Sequence, residues 1–406
     1  MSKITVVGAG NAGCLTALQF AWYTNNEVEL IYDPTIPSEP VGQATLTDPP
    51  RLLWPTLGFT WHNNNINATP KSGILYEDWG KVNDKVFHGF PADRMAMHYC
   101  PWKMQKAVLE SGHFKVTESN ILEPKDVDAD YVFDCRGKPD DFSDYDELIN
   151  PINAAILGKP NWDTTKDIWS SHITTPDGWT FIIPSHKESP SHKGSVGYCY
   201  NSNITSKEDA ENNFLNMFDV EVTRHLTFTN YAAKKPIVDD RIFLNGNRLY
   251  FLEAMESTAV QTYMQWVNYL MGQVITESGA NNVPAFILDL YGGMEGSRAF
   301  ASWGIRDYIR QVQNFILWHY QFGSKYDTPF WDYAQSLALD HKLVGMEDKE
   351  DKMFYNIMDF IKDKNWCDVM EPGYGGPMPD NRPYGQWNPY SFKIWNDGMT
   401  VPKSKQ

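Results

Sequence analysis

The stretch that most limits what this chain can fold into is KITVVGAGNAGCLTAL, close to its start. The apolar run Ile4 to Val7 reads as a buried strand and Gly8-x-Gly10-x-x-Gly13 as a tight turn, after which Leu15, Ala17 and Leu18 recur at helical spacing. Glycines there let a strand pass directly into a helix, and they let a pyrophosphate approach the backbone N–H groups at the positive helix end. A second strand, EVELIYD, ends at Asp33, twenty residues after Gly13, where an acid accepts hydrogen bonds from an adenosine ribose. The pattern predicts a Rossmann-like α/β lobe for a dinucleotide, with NAD and FAD both open.

The regular βαβ rhythm then breaks. VGQATLTDPPRLLWPTLGF is punctuated by Pro and Gly. Further on, DADYVFDCRGKP supplies another buried strand, Tyr131 to Asp134, running into a turn at Gly137. Such a strand so late in the chain fits a flavoprotein whose substrate sheet is inserted into the Rossmann-like lobe. In GWTFIIP, a strand closed by Pro184, Trp179 and Phe181 fall on one face and Thr180 and Ile182 on the other. The expected organisation is a discontinuous dinucleotide lobe of residues 1–45, 90–165 and 235–280, a sheet and loop substrate region of 46–89 and 166–234, and a mainly helical part from 281 to 406. EPGYGGPMPDNRPYGQWNPY cannot be a regular element and is expected to pack irregularly.

Composition excludes several classes of partner. A net charge of -16 argues against nucleic acid and against anionic membrane, both of which are met by a surplus of Lys and Arg. The five cysteines are scattered without CxxC spacing, so neither a disulfide framework nor a zinc site is expected, and the chain reads as reduced and cytoplasmic. No stretch of about 18 apolar residues and no signal segment is evident. The ten histidines show neither H-x-x-x-H nor H-E-x-x-H, and no metal is expected.

Several ordered motifs resemble those of flavin-dependent halogenases of the tryptophan-halogenase family. GQATLT, Gly42 to Thr47, is similar to a GEATIP-like stretch; PKSGILYEDW places Lys71 ahead of Trp79 as in the lysine segment; ADR ends in Arg94, similar to an arginine near the flavin. GWTFIIP resembles a WxWxIP signature with Phe181 in place of the second tryptophan, and EAMESTA resembles EPLESTG. GSVGYCYNSNITSKEDA and NFILWHYQFGSKYDTPFW resemble the segments that follow. The chain is short for the family and is similar in this to halogenases carried by marine viruses. Two departures stand out. LNGNRLYFLE lacks the aspartate of a GDAAG-like segment, and Ala259 replaces a glycine.

The resemblance implies an FAD-binding lobe of the flavin monooxygenase type, held at Gly8, Gly10, Gly13, Asp33, Ala44 and Arg94. It further implies that FADH2 from a separate flavin reductase, O2 and a halide ion together yield hypohalous acid. Lys71 would carry this to a small aromatic substrate, as a haloamine or through a hydrogen bond, and Glu256 would orient it or remove the arenium proton. Ser257, Thr258 and Ala259 would hold the halide. Thr258 and Gln261 have the spacing of a capping box opening a helix, whose start offers unpaired N–H groups to an anion. Trp179, Phe181, Ile183 and Pro184 would form a wall that passes only the small oxidised halide. Trimmed loops point to a tolerant pocket for phenols or indoles, and Ala259 to bromide or iodide over chloride. A homo-oligomer is expected. The alternatives are a flavin-dependent aromatic monooxygenase and a non-catalytic flavin-binding protein.

Overall fold

The apolar run at the N-terminus becomes the strand Lys3–Val7, paired in parallel with Glu27–Tyr32 on one side and Tyr131–Asp134 on the other. It is the centre of a six-stranded sheet in the order Ile237–Asp239, Ile242–Leu244, Tyr131–Asp134, Lys3–Val7, Glu27–Tyr32, Lys115–Glu118. The inner pairings are parallel and only Ile237–Asp239 runs antiparallel to its neighbour. Such a sheet needs both faces covered, and Ile4, Val6, Leu30, Val132 and Phe133 are fully buried. The computed structural model describes residues 2–38, 43–58, 60–90, 96–121, 123–184, 194–278, 298–344 and 389–402. The chain divides into two compact units: 1–69, 96–148 and 229–309 form the first, and 70–95, 149–228 and 310–406 the second.

In the first unit the turn after Lys3–Val7 works by close approach. Gly8 has φ +104°, and its N–H donates to the carbonyl of Ile31 at 2.8 Å. A Cβ on Gly13 would lie 1.8 Å from the Gly8 carbonyl oxygen, so the helix Asn11–Tyr23 can start this close to the strand only with glycine there. That helix packs on Thr258–Ser278, where Gln19 donates to the carbonyl of Met264 at 3.3 Å and to Asn268 at 3.0 Å. One stripe of the second helix, Val260, Tyr263, Trp266, Val267 and Leu270, is buried, with Ala259 at its start half-buried. The strand expected to reach Asp33 stops at Tyr32, because Asp33 turns the chain by accepting from the N–H and hydroxyl of Thr35.

The second unit is built on a seven-stranded sheet in the order Val220–Thr227, Ala154–Pro160, Ser195–Tyr200, Gly178–Ile183, Ser170–Thr175, Gly73–Glu77, Lys85–Gly89. Only the Ser170–Thr175 and Gly73–Glu77 pair is parallel. One face packs Ile156, Val196 and Tyr198 against Ala210 and Phe214 of the helix Lys207–Met217. That helix is capped by Ser206, whose hydroxyl accepts from Asp209 N–H at 3.1 Å, with Glu208 and Asp209 in the positive first turn. The other face is aromatic. Phe181 lies opposite His172, which lies opposite Tyr76, so the three side chains share it, with Trp179 beside them. It meets Tyr320 at the end of the long helix Arg298–Tyr320 and Trp395 of the helix Pro389–Thr400.

The chain is therefore α/β, a Rossmann-like lobe and a large mixed sheet followed by helices. No helix among the described residues is long and apolar enough to cross a membrane. Of the segment 371–390 expected to be irregular, 371–388 lies outside the described residues, as does Cys367, while Pro389 and Tyr390 open the helix Pro389–Thr400; the other four cysteines are buried free thiols. Gly13→Ala is expected to destabilise the protein by about 1–3 kcal/mol or more, because backbone must move to admit the methyl group. Chemical denaturation of the purified variant measures this, and a stability equal to wild type would show that the turn is not under this constraint.

Candidate functional site

In the first unit Gly8 and Gly10 open into a cavity of about 390 Å³, lined also by Asp33, Arg136, Asn247 and Tyr263. Three features fit a dinucleotide. A Cβ on Gly10 would meet nothing within 4 Å, so this residue faces open space at the helix start, where the N–H groups and dipole favour phosphate. Asp33 stands at the rim as a carboxylate, held below the ordinary range by the Thr35 hydroxyl and N–H. Asn247, in the segment that lacks the aspartate, keeps a polar amide at the cavity, and the Tyr263 hydroxyl donates to its Oδ1 at 2.8 Å. Burial holds the Tyr263 phenol well above its usual range, so it stays a donor.

Arg136 was not singled out by its sequence, although the Tyr131–Asp134 strand pointed at its position. Its guanidinium grips Asp134 with two bonds of 2.8 and 2.9 Å and donates to the Ile121 carbonyl at 3.1 Å, which fixes it in the cavity wall. Gly13 lies beneath the turn. Ala44 is buried in the short strand Gln43–Ala44, opposite His98, and is not among the cavity residues. Gly42 and Arg94 lie outside the described residues.

The EST segment is strained. Glu256 has φ 64° and Ser257 φ 55°, a conformation that costs an L-residue of order 1–3 kcal/mol and gathers at functional sites. Glu256 is buried, and the Ser257 N–H donates to the carbonyl of Ala254 at 3.1 Å. Thr258 is already right-handed and opens the helix Thr258–Ser278. This corrects the capping box: the left-handed pair carries Thr258 into the helix, and Gln261 donates to the Asp48 carboxylate while accepting the Asp48 N–H at 3.4 Å. The chain thus changes hand between Ser257 and Thr258, at the start of that helix. Ala259, half-buried, follows directly.

In the second unit Lys71 is fully buried, with Nζ 5.4 Å from the centre of the Phe90 ring. Ser72 pins this point of the chain, its N–H and hydroxyl donating to the Ile168 carbonyl at 2.6 and 2.9 Å. Three histidines from three elements gather here. Burial lowers His88 to about 3, helped by His319 and Lys71; burial, then Lys71 and His319, push His172 well below its usual value. His319 donates from Nδ1 to the Phe315 carbonyl at 2.8 Å. The sequence reading gave these histidines no role, since no spacing links residues 88, 172 and 319. Among the described residues no group of His, Cys, Asp or Glu side chains is arranged to hold a metal ion.

The aromatic strand is packed firmly. Trp179 is fully buried, its indole N–H donating to the Tyr320 hydroxyl at 2.9 Å, and its ring is 4.8 Å from that of His172 and 6.1 Å from that of Phe181. Phe181 lies across Gly197, where an added Cβ would stand 2.1 Å from its ring. Ile183 is half-buried and Pro184 buried.

The family described as tryptophan halogenase matches residues 3–123 and 103–381. A curated relative, tryptophan 7-halogenase RebH of Lentzea aerocolonigenes, is 22% identical over 239 residues, 55% of this chain. The match spans 41% of that relative's length. Among solved structures, MibH, a lathipeptide tryptophan 5-halogenase, is similar with TM-score 0.72 and 16% identity, over 99% of this chain and 86% of that one. SttH, a tryptophan 6-halogenase of Streptomyces toxytricini, is similar with TM-score 0.70 and 17% identity, over 98% of this chain and 91% of that one.

Because Gly10 faces open space with an ordinary φ of -68°, Gly10→Ala is expected to fold like the wild type yet bind FAD at least about tenfold more weakly. Flavin fluorescence titration beside thermal unfolding checks both halves of this; unchanged affinity would remove Gly10 from the cofactor cradle.

Proposed function

The chain belongs to the tryptophan halogenase family, and from that premise we propose that it is an FADH2-dependent halogenase acting on electron-rich phenols or indoles through Lys71. The observation that carries this reading is the complete burial of Lys71, in a setting of rings and histidines. Lysine is rarely buried without a task, because its charge is costly to desolvate.

Gly8, Gly10, Asp33, Arg136 and Asn247 would hold the flavin, with Gly13 shaping the turn and Ala44 and Arg94 contributing as the resemblance implies. When bound, reduced flavin and O2 supply the oxidising equivalent that turns halide into hypohalous acid. A separate reductase would deliver the FADH2. Ser257, Thr258 and Ala259 offer the halide a helix start whose backbone is bent by two left-handed residues. Lys71 would receive the oxidised halogen, as a haloamine or by hydrogen bonding to hypohalous acid. Glu256 would orient it or take the proton lost by the arene. Trp179 and Phe181, with Ile183 and Pro184, would keep the arene from direct hydroxylation, which favours halogenation over the monooxygenase alternative.

Lys71→Ala is expected to abolish arene halogenation while flavin reoxidation by O2 continues, and Glu256→Gln to lower the halogenation rate about 10²–10⁴-fold with flavin affinity nearly intact. Product mass spectrometry alongside NADH consumption by the coupled reductase reads both; full product from the lysine variant, or collapse of flavin binding in the glutamine variant, would remove that residue from the chemistry.

The Cβ of Ala259 restricts the approach of an anion to the N–H groups at the helix start. Chloride is the hardest of the three halides to dehydrate and oxidise, so bromide and iodide should be used in preference to it. Competition at equal halide concentrations, with products counted by mass, tests this, and chloride prevailing would show that Ala259 does not weaken the site.

A further inference from the structure

Lys71 ends the strand Thr69–Lys71, and the hairpin that follows it returns one ring to the lysine. Gly73–Glu77 pairs antiparallel with Lys85–Gly89, with Gly73 opposite Gly89. A Cβ on Gly73 would stand 2.3 Å from the His88 carbonyl oxygen, so the two strands meet this closely only with glycine there. The pairing runs one bond further, the Phe90 N–H donating to the Ser72 carbonyl at 2.7 Å. Ser72 is itself fixed by its two bonds to Ile168. Phe90 is thereby held beside the lysine, and Lys71 Nζ lies 5.4 Å from the centre of its ring. His88, two residues earlier on the same side, backs that ring at 5.5 Å with the planes 71° apart.

Two properties of this contact go together. An ammonium within about 6 Å of a ring face is attracted by the ring quadrupole, most strongly where water is excluded, and Lys71 is fully buried. A phenylalanine ring also lacks the hydroxyl or ring nitrogen whose electrons make phenols and indoles quick to accept an electrophilic halogen. Among Phe, Tyr and Trp it is the one ring that attracts a cation and still survives beside hypohalous acid.

We propose that Phe90 is the positioning residue of Lys71: its ring seats the ammonium and so fixes where the oxidised halogen is presented. The inference rests on the halogenase reading of Lys71. It also accounts for the ring chosen, because a phenol in the same place would compete with the arene. In a Phe90→Tyr variant a ring carbon ortho to the hydroxyl takes the halogen of hypohalous acid. The C–X bond forms, the O–X bond breaks, and the displaced ring proton leaves with hydroxide as water.

The test uses full-length protein with FAD, a flavin reductase, NADH and bromide, with phenol and indole as arenes and taurine in parallel runs to consume free hypobromous acid. Phe90→Leu should keep flavin reoxidation and the taurine signal, while kcat for arene bromination falls about 5- to 30-fold and KM stays within about twofold. Phe90→Tyr, which keeps the ring, should restore arene bromination in the first turnovers. Incubated with taurine and no arene, it should gain one bromine on the peptide that carries residue 90, read by mass spectrometry as an isotope pair of equal height. The same peptide should stay unmodified once Lys71→Ala is added. A raised KM at unchanged kcat in Phe90→Leu would mean that Phe90 touches the arene and not the lysine, and wild-type kinetics that it has no role; either overturns the inference. If Phe90→Leu does not fold, the bromine on residue 90 decides alone: its absence while added phenol is brominated, or its persistence without Lys71, overturns the inference. Lys71→Ala separates the two ideas. Wild-type bromination by it fells the lysine reading itself, whereas an inactive Lys71→Ala beside a fully active Phe90→Leu sinks only the role of Phe90.

Discussion

The contact on which the first unit depends is the closeness of Gly13 to the Gly8 carbonyl. The absence of a side chain there lets the helix Asn11–Tyr23 leave its strand at short range, so that its N-terminus faces the ends of the parallel strands. The cavity follows from that placement. Its walls come from Asp33 after the second strand, Arg136 after Tyr131–Asp134 and Asn247 after Ile242–Leu244, each carried to the same sheet edge by parallel pairing. The chain at Thr258 is shaped differently, by two left-handed residues that precede the helix Thr258–Ser278.

In the second unit the organising constraint is the aromatic face of the large sheet. Phe181 fits only because Gly197 opposite offers no Cβ, and Trp179 is held by a hydrogen bond to Tyr320. Around it Trp79 packs its ring 5.4 Å from Trp331 and 5.9 Å from Trp395, all three fully buried, so part of the tryptophan content builds a dry, stiff interior. Dryness makes the polar groups within it consequential. Burial above all, with Lys71 and His319 behind it, holds His88 and His172 below the usual histidine range.

The local signals were the readable ones. The strand and helix around the glycine turn, the strand at Tyr131–Asp134, the aromatic strand at 178–183 and the helix after Thr258 are all set by periodicity and breakers within a few residues. The capping box failed for a physical reason. Spacing alone cannot report that Glu256 and Ser257 adopt positive φ, nor that Gln261 would find Asp48, 213 residues away in the chain, a better partner.

What the sequence determined by itself is the dinucleotide turn, the strand and helix types, the class of the fold and the candidate residues carried by short motifs, because each depends on neighbours within one or two turns of backbone. Only the tertiary structure decided which distant residues share an environment: Arg136 and Asn247 in the cavity wall, and His88, His172 and His319 near Lys71. Those groupings arise from strand order and from the packing of the late helices on the sheet. Their energies, desolvation above all, depend on how completely surrounding rings exclude water, and no spacing along the chain encodes that.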